Sequence, residues 1–375
     1  MAGRYRYVVF GAGRQGLAAI YDLIVNAQAQ HVTVVEPDPR RALEASLRLG
    51  QLLRSRAAPF EVLTQVEDDV LAKADVVLSC APYSANVELT RRALSVGTAF
   101  CDLGGNPATV ARQERLAARS RVPVVPDCGV SPGLSNVLAV HCAAVHGCDR
   151  IQVRCGGLPL VRPDARQNPL GYRLVFSPAG LISEYSGAVP VLRGGRRTSV
   201  AALSVIERFE PGLEAAPTSN NSPQVVDHLR SIGVRDYDYA TLRYDGHWAR
   251  VRAWKSRGYL RGRPARDAEL AARLEADPVL RYVPSRNRDR LILSVRGERR
   301  TPLQRGFSYR LDVAADRATR FSAMELTTSW GITIVAHHMA SGRGRPRGFA
   351  TPERFVDTAW VIAEVERRLA ALERR

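Results

Sequence analysis

The feature that most constrains this chain is a glycine run near its start. Gly11-Ala12-Gly13-Arg14-Gln15-Gly16 follows the apolar stretch YRYVVF and opens a helical pattern over Gln15–Ala27. A G-x-G-x-x-G is weak evidence alone, but between a strand and a helix at the start of a βαβ unit it has a mechanical reason. Gly11 permits the tight turn, Gly13 lets a pyrophosphate approach the backbone, and Gly16 lets the helix pack close on the strand. Arg14 and Gln15 stand where that helix begins, and its N-terminal N–H groups and partial positive charge suit phosphate. The next strand, His31–Glu36, ends on an acid 20 residues after Gly16. A carboxylate there accepts hydrogen bonds from the adenosine ribose and repels a 2′-phosphate. The spacing therefore predicts NAD as cofactor, while Arg40 and Arg41 keep NADP open.

The same alternation continues. Strands are expected at Phe60–Leu63, Asp75–Cys80, Ala99–Leu103 and Val122–Pro126, with helices at Pro39–Leu53, Asn86–Val96 and Thr109–Ser120. Short apolar strands alternating with helices predict an α/β fold with a doubly wound parallel sheet. Ligands in such sheets bind at the carboxyl ends of the strands. Ala81, Pro82 and Tyr83 follow one such end, Asp102, Gly104 and Gly105 another, and Asp127 a third. All join the glycine run and Glu36 as candidate cofactor or catalytic residues.

Beyond Asp127 the pattern changes. A helix over Pro132–Val145 is followed by short alternating segments: Ile151–Cys155, Arg173–Phe176, Val189–Leu192, Tyr239–Tyr244, Ala249–Trp254, Leu291–Gly297 and Gly306–Val313. These predict a second, α+β domain on a mixed sheet. Helices Thr327–Met339 and Pro352–Leu372 close the chain, the latter with Thr351 as expected N-cap. The expected division is 1–128, 129–325 and 326–375. Ser341–Gly348 (SGRGRPRG) reads as a flexible linker, and the arginine clusters at Arg257–Arg266 and Arg281–Arg300 read as solvated loops.

The 375 residues suffice for two to three domains with a real core. The net charge of +17 suggests an anionic partner, but among 54 cations only Lys73 and Lys255 are lysine. That arginine skew, with abundant Ala and Gly, follows from a GC-rich coding bias, so no nucleic-acid partner is expected. No apolar run approaches the ~18 residues of a membrane span. A strand starting at residue 5 leaves no room for a cleavable leader. The six cysteines, none in a C-x-x-C pair, then read as reduced thiols of a cytoplasmic protein. His141, Cys142, His146 and Cys148 match no common zinc spacing, and no metal is expected.

Six blocks occur in order: VVLSCAPY (76–83), CDLGG (101–105), VVPDCGVSPG (124–133), CGGLP (155–159), FSPAGLISEY (176–185) and TLRYDGH (241–247). In these blocks the chain resembles the saccharopine dehydrogenase family, most closely its lysine 6-dehydrogenase branch. The resemblance implies a Rossmann domain, a mixed-sheet substrate and oligomerisation domain, and C-terminal helices returning to the first domain. It implies a homodimer or larger homo-oligomer acting on a small amino-acid or amine substrate. The implied reaction is oxidative deamination, with hydride passing from an amine-bearing carbon to NAD(P). In that reading Arg243 clamps the substrate carboxylate, since a guanidinium binds it through two parallel bonds. Asp127 or Tyr83 serves the reacting nitrogen, and His247 assists proton transfer. Each has a plainer alternative: Asp127 as a cap for the helix that follows, Arg243 paired with a surface acid, His247 as a polar core group. A condensing, saccharopine-type enzyme would need a second cationic clamp, for which Arg154, Arg162 and Arg173 are available. A non-catalytic NAD(P)-sensing regulator would need neither Arg243 nor Asp127. The chain departs from the lysine branch at Thr218-Ser219-Asn220-Asn221-Ser222, where that branch has Gly-Gly, so its substrate need not be lysine.

Overall fold

The computed structural model describes residues 4–54, 59–220, 222–283, 286–299, 306–343 and 347–374. The chain divides into two compact units: residues up to Val137 together with those from Glu325 onward, and Leu138–Met324.

The first unit begins with β1 (Tyr5–Phe10), α1 (Arg14–Asn26), β2 (Ala29–Val35), α2 (Pro39–Leu52), β3 (Phe60–Leu63), α3 (Asp68–Ala72) and β4 (Val76–Ser79). It continues through α4 (Asn86–Ser95), β5 (Ala99–Asp102), α5 (Pro107–Ala117) and β6 (Pro123–Val125). These six strands are all parallel, in the order β6-β5-β4-β1-β2-β3. The strand order reverses between β1 and β4, and a ligand crevice opens at such a switch point. Helices cover both faces of a parallel sheet, so its strands read as continuous apolar runs; β4 and β5 are buried at every position. Val8, Val77, Phe100 and Val124 form the centre of the core. The helices start where local chemistry allows. The Asp38 carboxylate accepts from the Arg40 and Arg41 N–H groups with Pro39 at the first position, and Asn106 accepts from Thr109 N before Pro107.

Helix α6 (Leu134–Ala144) leads into β7 (Arg150–Pro159), α7 (Pro178–Glu184), β8 (Ala188–Arg193), β9 (Arg196–Ala201), β10 (Glu207–Glu210) and β11 (Leu213–Ala216). Then come α8 (Pro223–Ser231), β12 (Asp236–Tyr244), α9 (His247–Ser256), α10 (Pro264–Ala276), β13 (Asp289–Glu298) and β14 (Phe307–Ala314). The sheet runs β10-β11-β12-β7-β13-β14, with the β8–β9 hairpin attached at β12. Among the described strands of this sheet only β12 and β7 pair in parallel, so the expected mixed sheet is present. Its core is built around Trp248, Tyr172, Tyr185 and Leu260.

Two expected strands are absent. Arg173–Phe176 makes one isolated bridge, Leu174 to Arg281. Ala249–Trp254 is part of α9. Its residues alternate apolar and charged, but the protected ones are Trp248, Val251 and the half-buried Trp254, a spacing of three that belongs to a helix. The two arginine-rich stretches are not loop throughout either: Arg266 lies in α10, and β13 occupies part of the 281–300 cluster.

The chain closes with α11 (Ala323–Ala340), β15 (Gly348–Phe349), α12 (Pro352–Phe355) and α13 (Thr358–Glu373). Of the expected 341–348 linker, residues 344–346 lie outside the described residues, and Gly348 begins the strand that extends the first sheet beside β6. The single helix expected over Pro352–Leu372 is two. Val356 is extended, and the Asp357 carboxylate accepts from Ala359 N (2.9 Å) and Trp360 N (3.2 Å), which starts a new helix. Thr351 is the N-cap residue of α12 as expected, with Pro352 after it, but its side chain makes no capping bond: the hydroxyl donates to Glu353 Oε1 at 2.6 Å. Helix α13 carries Arg368, buried, whose guanidinium donates to Asp22 Oδ1 (3.2 Å) and Oδ2 (2.9 Å) on α1 and to Glu364 (2.6 Å). Asp357→Ala should cost about 1 kcal/mol, the usual loss of an N-cap, and lower the melting temperature without changing ligand affinity. Among the described residues no helix is long and apolar enough to cross a membrane.

Candidate active site

The glycine turn between β1 and α1 shows three separate constraints. Gly11 has φ +92°, and a Cβ on it would lie 2.8 Å from Ala81 N. A Cβ on Gly16 would lie 1.9 Å from Gly11 O, so the helix could not approach. Gly13 has open space around its Cβ direction and heads α1 with no side-chain cap. Backbone room plus an uncapped helix start fit a dinucleotide pyrophosphate. Arg14 ion-pairs through Nε with Glu325, and Gln15 Oε1 is buried without a partner among the described residues.

Glu36 directly follows β2 and is buried. Its carboxylate accepts from Ala12 N (3.0 Å) and more weakly from Asp38 N (3.4 Å), which draws it onto the glycine turn. That places an acid at the end of β2 beside the glycine turn, while Arg40 and Arg41 stay exposed. Glu36→Ala should narrow any preference for NAD over NADP, measured by titration of both cofactors. If the wild-type chain binds NADP more tightly and the substitution changes nothing, Glu36 does not read the ribose.

The ends of β4, β5 and β6 bring the next group together. Ala81 backs the glycine turn, and Pro82 precedes a single tight turn over Tyr83–Ala85. Tyr83 is 51% exposed, so it sits at the surface of this unit. Asp102 is fully buried and accepts from Gly104 N (2.8 Å), Gln113 Nε2 (2.6 Å) and Asp127 N (3.3 Å). Burial pushes its pKa up to about 6 against those three donors.

Asp127 is the least satisfied member. It has φ +61°, an uncommon conformation for a residue with a side chain. Its carboxyl accepts from the Gly105 N–H, while Oδ1 is buried with no partner among the described residues. Burial first, then the charge of Asp102 and that of Glu353, push its pKa up to about 7. Gly104 has φ +113°, a conformation that residues with a side chain rarely adopt, and a Cβ there would press on Asp127 Oδ1 at 2.7 Å. Asp127 caps no helix: α6 begins at Leu134, whose N–H donates to Gly129 O. Glu353 is a member that the sequence alone does not reveal. It is buried in α12, bonded to Thr351, and raised in pKa by burial.

In the second unit a different cluster surrounds Arg243 on β12. The guanidinium is buried, donates through Nε to Tyr185 Oη (3.0 Å) and through Nη1 to Leu242 O (2.9 Å). It lies over the Tyr172 ring at 4.7 Å. Its Nη2 approaches Glu184 Oε1 at 3.7 Å, an ion pair longer than a hydrogen bond. Glu184 is itself buried, accepts from Thr241 Oγ1 at 2.8 Å, and is raised in pKa by burial against the pull of Arg243. The acid partner of Arg243 is thus a core residue, not a surface one.

His247 is buried, with Nδ1 2.9 Å from Leu170 O and Nε2 3.0 Å from Tyr185 Oη. A carbonyl can only accept, so Nδ1 carries the proton and Nε2 accepts from Tyr185. Tyr185 then donates to His247 and accepts from Arg243, with both capacities used. Burial and the charge of Arg243 lower the His247 pKa to about 3, so the ring stays neutral. Three further arginines are engaged elsewhere. Arg154 is buried between Glu207 (2.5 Å) and Asp238 (2.7 Å), Arg162 donates to Asp245 O, and Arg173 donates to Val279 O.

Residues 129–371 match the family model of the saccharopine dehydrogenase C-terminal domain, and residues 7–124 that of the saccharopine dehydrogenase NADP binding domain. The chain belongs to the saccharopine dehydrogenase family. It is 25% identical over 223 residues to saccharopine dehydrogenase [NADP(+), L-glutamate-forming] of Pyricularia oryzae, covering 55% of this chain and 48% of that one. The enzyme of the same name from Saccharomyces cerevisiae is 25% identical over 233 residues, 59% of this chain and 52% of that one. The bovine mitochondrial alpha-aminoadipic semialdehyde synthase is 23% identical over 293 residues, 74% of this chain and 30% of that one. The chain spans about half the length of the first two relatives. The structure of apo saccharopine dehydrogenase (L-Glu forming) from Saccharomyces cerevisiae superposes with a TM-score of 0.74 at 18% identity, covering 97% of this chain and 98% of that one. That likeness shows the fold. The first unit therefore carries the family's nicotinamide dinucleotide domain, and the matching model is one for NADP.

Proposed function

We propose that this chain is an NAD(P)-dependent oxidoreductase acting at the amine-bearing carbon of an amino acid. The observation that carries the reading is Asp127: a buried carboxyl with one unpartnered oxygen, at a sheet edge of the dinucleotide domain, with a pKa near neutrality. A carboxylate titrating near 7 can take a proton from an ammonium at working pH and return it. When bound, the nicotinamide supplies a hydride acceptor or donor. Gly11, Gly13 and Gly16 would hold the pyrophosphate, and Glu36 the ribose. Arg243 would hold a substrate carboxylate, pre-oriented by Tyr185 and Tyr172, with His247 and Glu184 as positioning residues.

Two directions remain distinct in chemistry. The names of the relatives support a secondary amine of the saccharopine type. The engagement of Arg154, Arg162 and Arg173 instead supports a substrate with one clamped carboxylate, as in deamination of a primary amine. We favour the single-carboxylate reading. Steady-state assays separate the alternatives. Cofactor reduction with an amino acid alone supports deamination. Oxidation of the reduced cofactor that requires an amino acid and an aldehyde together supports condensation. Cofactor binding with neither activity supports a sensor and overturns the proposal.

A further inference from the structure

The second unit holds a cleft of about 320 Å³ that none of the residues assigned above to cofactor, clamp or proton transfer lines. Pockets for small ligands run from ~300 Å³ upward, so this one suits a single small metabolite. Its walls are the segment Gln167–Leu170, the turn Asp277–Leu280, and Arg250, Ala253, Trp254 and Arg257, which share one face of α9 and its end.

Three chemical demands meet there. First, Arg250 and Arg257 are exposed, and among the described residues neither guanidinium has an ion-pair or hydrogen-bond partner. Second, Asn168 is only 2% exposed, and its Oδ1 is buried without a partner among the described residues. Its amide cannot be turned to relieve this, because Nδ2 donates to Tyr172 O at 2.7 Å and a carbonyl only accepts. Asn168 Oδ1 therefore calls for a donor. Asp277 adds negative charge to the same cleft, with Oδ1 accepting from Val279 N (2.9 Å). Third, Trp254, Leu170 and Leu280 supply apolar wall.

A carboxylate for the arginines, an ammonium for Asp277 that reaches the covered Asn168 Oδ1 on a small shift of the Gln167–Leu170 segment, and an apolar body for the wall describe one ligand class. We propose that this cleft binds a free α-amino acid with an apolar side chain, and that its occupation tunes the Arg243 cluster. The route is short. The Leu170 carbonyl holds His247, Asn168 holds the backbone of Tyr172, and the Tyr172 ring lies on Arg243. A ligand on Asn168 stiffens the segment that carries both contacts. The tuning half rests on Arg243 being the substrate clamp; the binding half does not.

Calorimetry on the full chain without cofactor or substrate tests the binding half. L-Phenylalanine should bind saturably, and both phenethylamine and 3-phenylpropionate more weakly. Arg250→Gln with Arg257→Gln should weaken phenylalanine binding at least about tenfold, since two charge-assisted hydrogen bonds are lost; both sites are exposed, so folding should hold. Absent binding, equal binding of phenylpropionate, or an unchanged affinity in the double variant would overturn the site. So would binding lost only in Arg243→Ala, which would place the amino acid at the clamp. For the tuning half, phenylalanine should shift the KM of the oxidised amine in the wild type and not in the double variant. Binding without that shift would overturn the effector role and leave the clamp to be judged by its own kinetics.

Discussion

Asp127→Asn should lower kcat by about 10²–10⁴-fold, the usual contribution of a positioned acid–base group, while leaving NAD(P) affinity nearly unchanged. The amide keeps an oxygen for the Gly105 N–H and removes only the titrating proton. In the wild type the rate of amine oxidation should rise with pH through about 7, where the buried carboxyl ionises, and that rise should vanish in the variant. The charge of Asp102 adds to burial in raising that pKa. Stability gives an independent check. The folded pKa lies above the ordinary 3.8, so the native chain binds more protons than the unfolded one between about 4 and 7. Wild-type stability should therefore fall as pH rises through that window, and Asp127→Asn should remove the Asp127 share of this loss, leaving that of Asp102, whose pKa is also raised, to about 6. A variant with wild-type kcat, or one destabilised equally at every pH, would make Asp127 a structural residue.

Arg243→Ala should cost about 3–5 kcal/mol in kcat/KM, because a substrate carboxylate would be left in a buried site without its counter-ion. The same change strands Glu184, so the melting temperature should also drop. Arg243→Lys separates the two effects. It keeps the charge beside Glu184 but loses the planar fork, and misplacing a substrate by about 1 Å can cost ~10²-fold. We expect Arg243→Lys to fold and bind NAD(P) normally with a substantially raised KM for the amine. Unaltered KM with a lowered melting temperature would mean that Arg243 serves only the buried network of Tyr185, His247 and Glu184.

The parts of this molecule that are legible in the sequence are those fixed by local geometry. The glycine turn lies within one βα unit, and Glu36, Ala81, Asp102 and Asp127 each stand just past a strand or at its end, which spacing reveals; that Glu36 meets Ala12 and Asp102 meets Asp127 follows from the parallel order of neighbouring strands. The Arg243 cluster is only half legible. Glu184 and Tyr185 stand in the block FSPAGLISEY, but nothing local reveals that Tyr185 meets Arg243, 58 residues away. Nor does spacing reveal that Glu353, in a helical turn near the chain end, adds its charge to Asp127. The misplaced elements have the same root. In Ala249–Trp254 both a two-residue and a three-residue period fit the apolar positions, and tertiary burial chose the second. At Asp357 a cap inside an apolar stripe splits one expected helix into two. The choice between NAD and NADP stays open in the sequence because Glu36 and the neighbouring arginines pull in opposite directions.

The most direct test of the central claim follows a label rather than a rate. Amino acids carrying deuterium on the amine-bearing carbon, primary and secondary amines alike, are incubated with the purified chain and oxidised NAD or NADP, and the reduced cofactor is analysed by mass. Hydride transfer predicts deuterium in the reduced nicotinamide in the wild type and its near-absence in Asp127→Asn. Saturable NAD(P) binding with no deuterium in the nicotinamide from any of these amines would contradict the account.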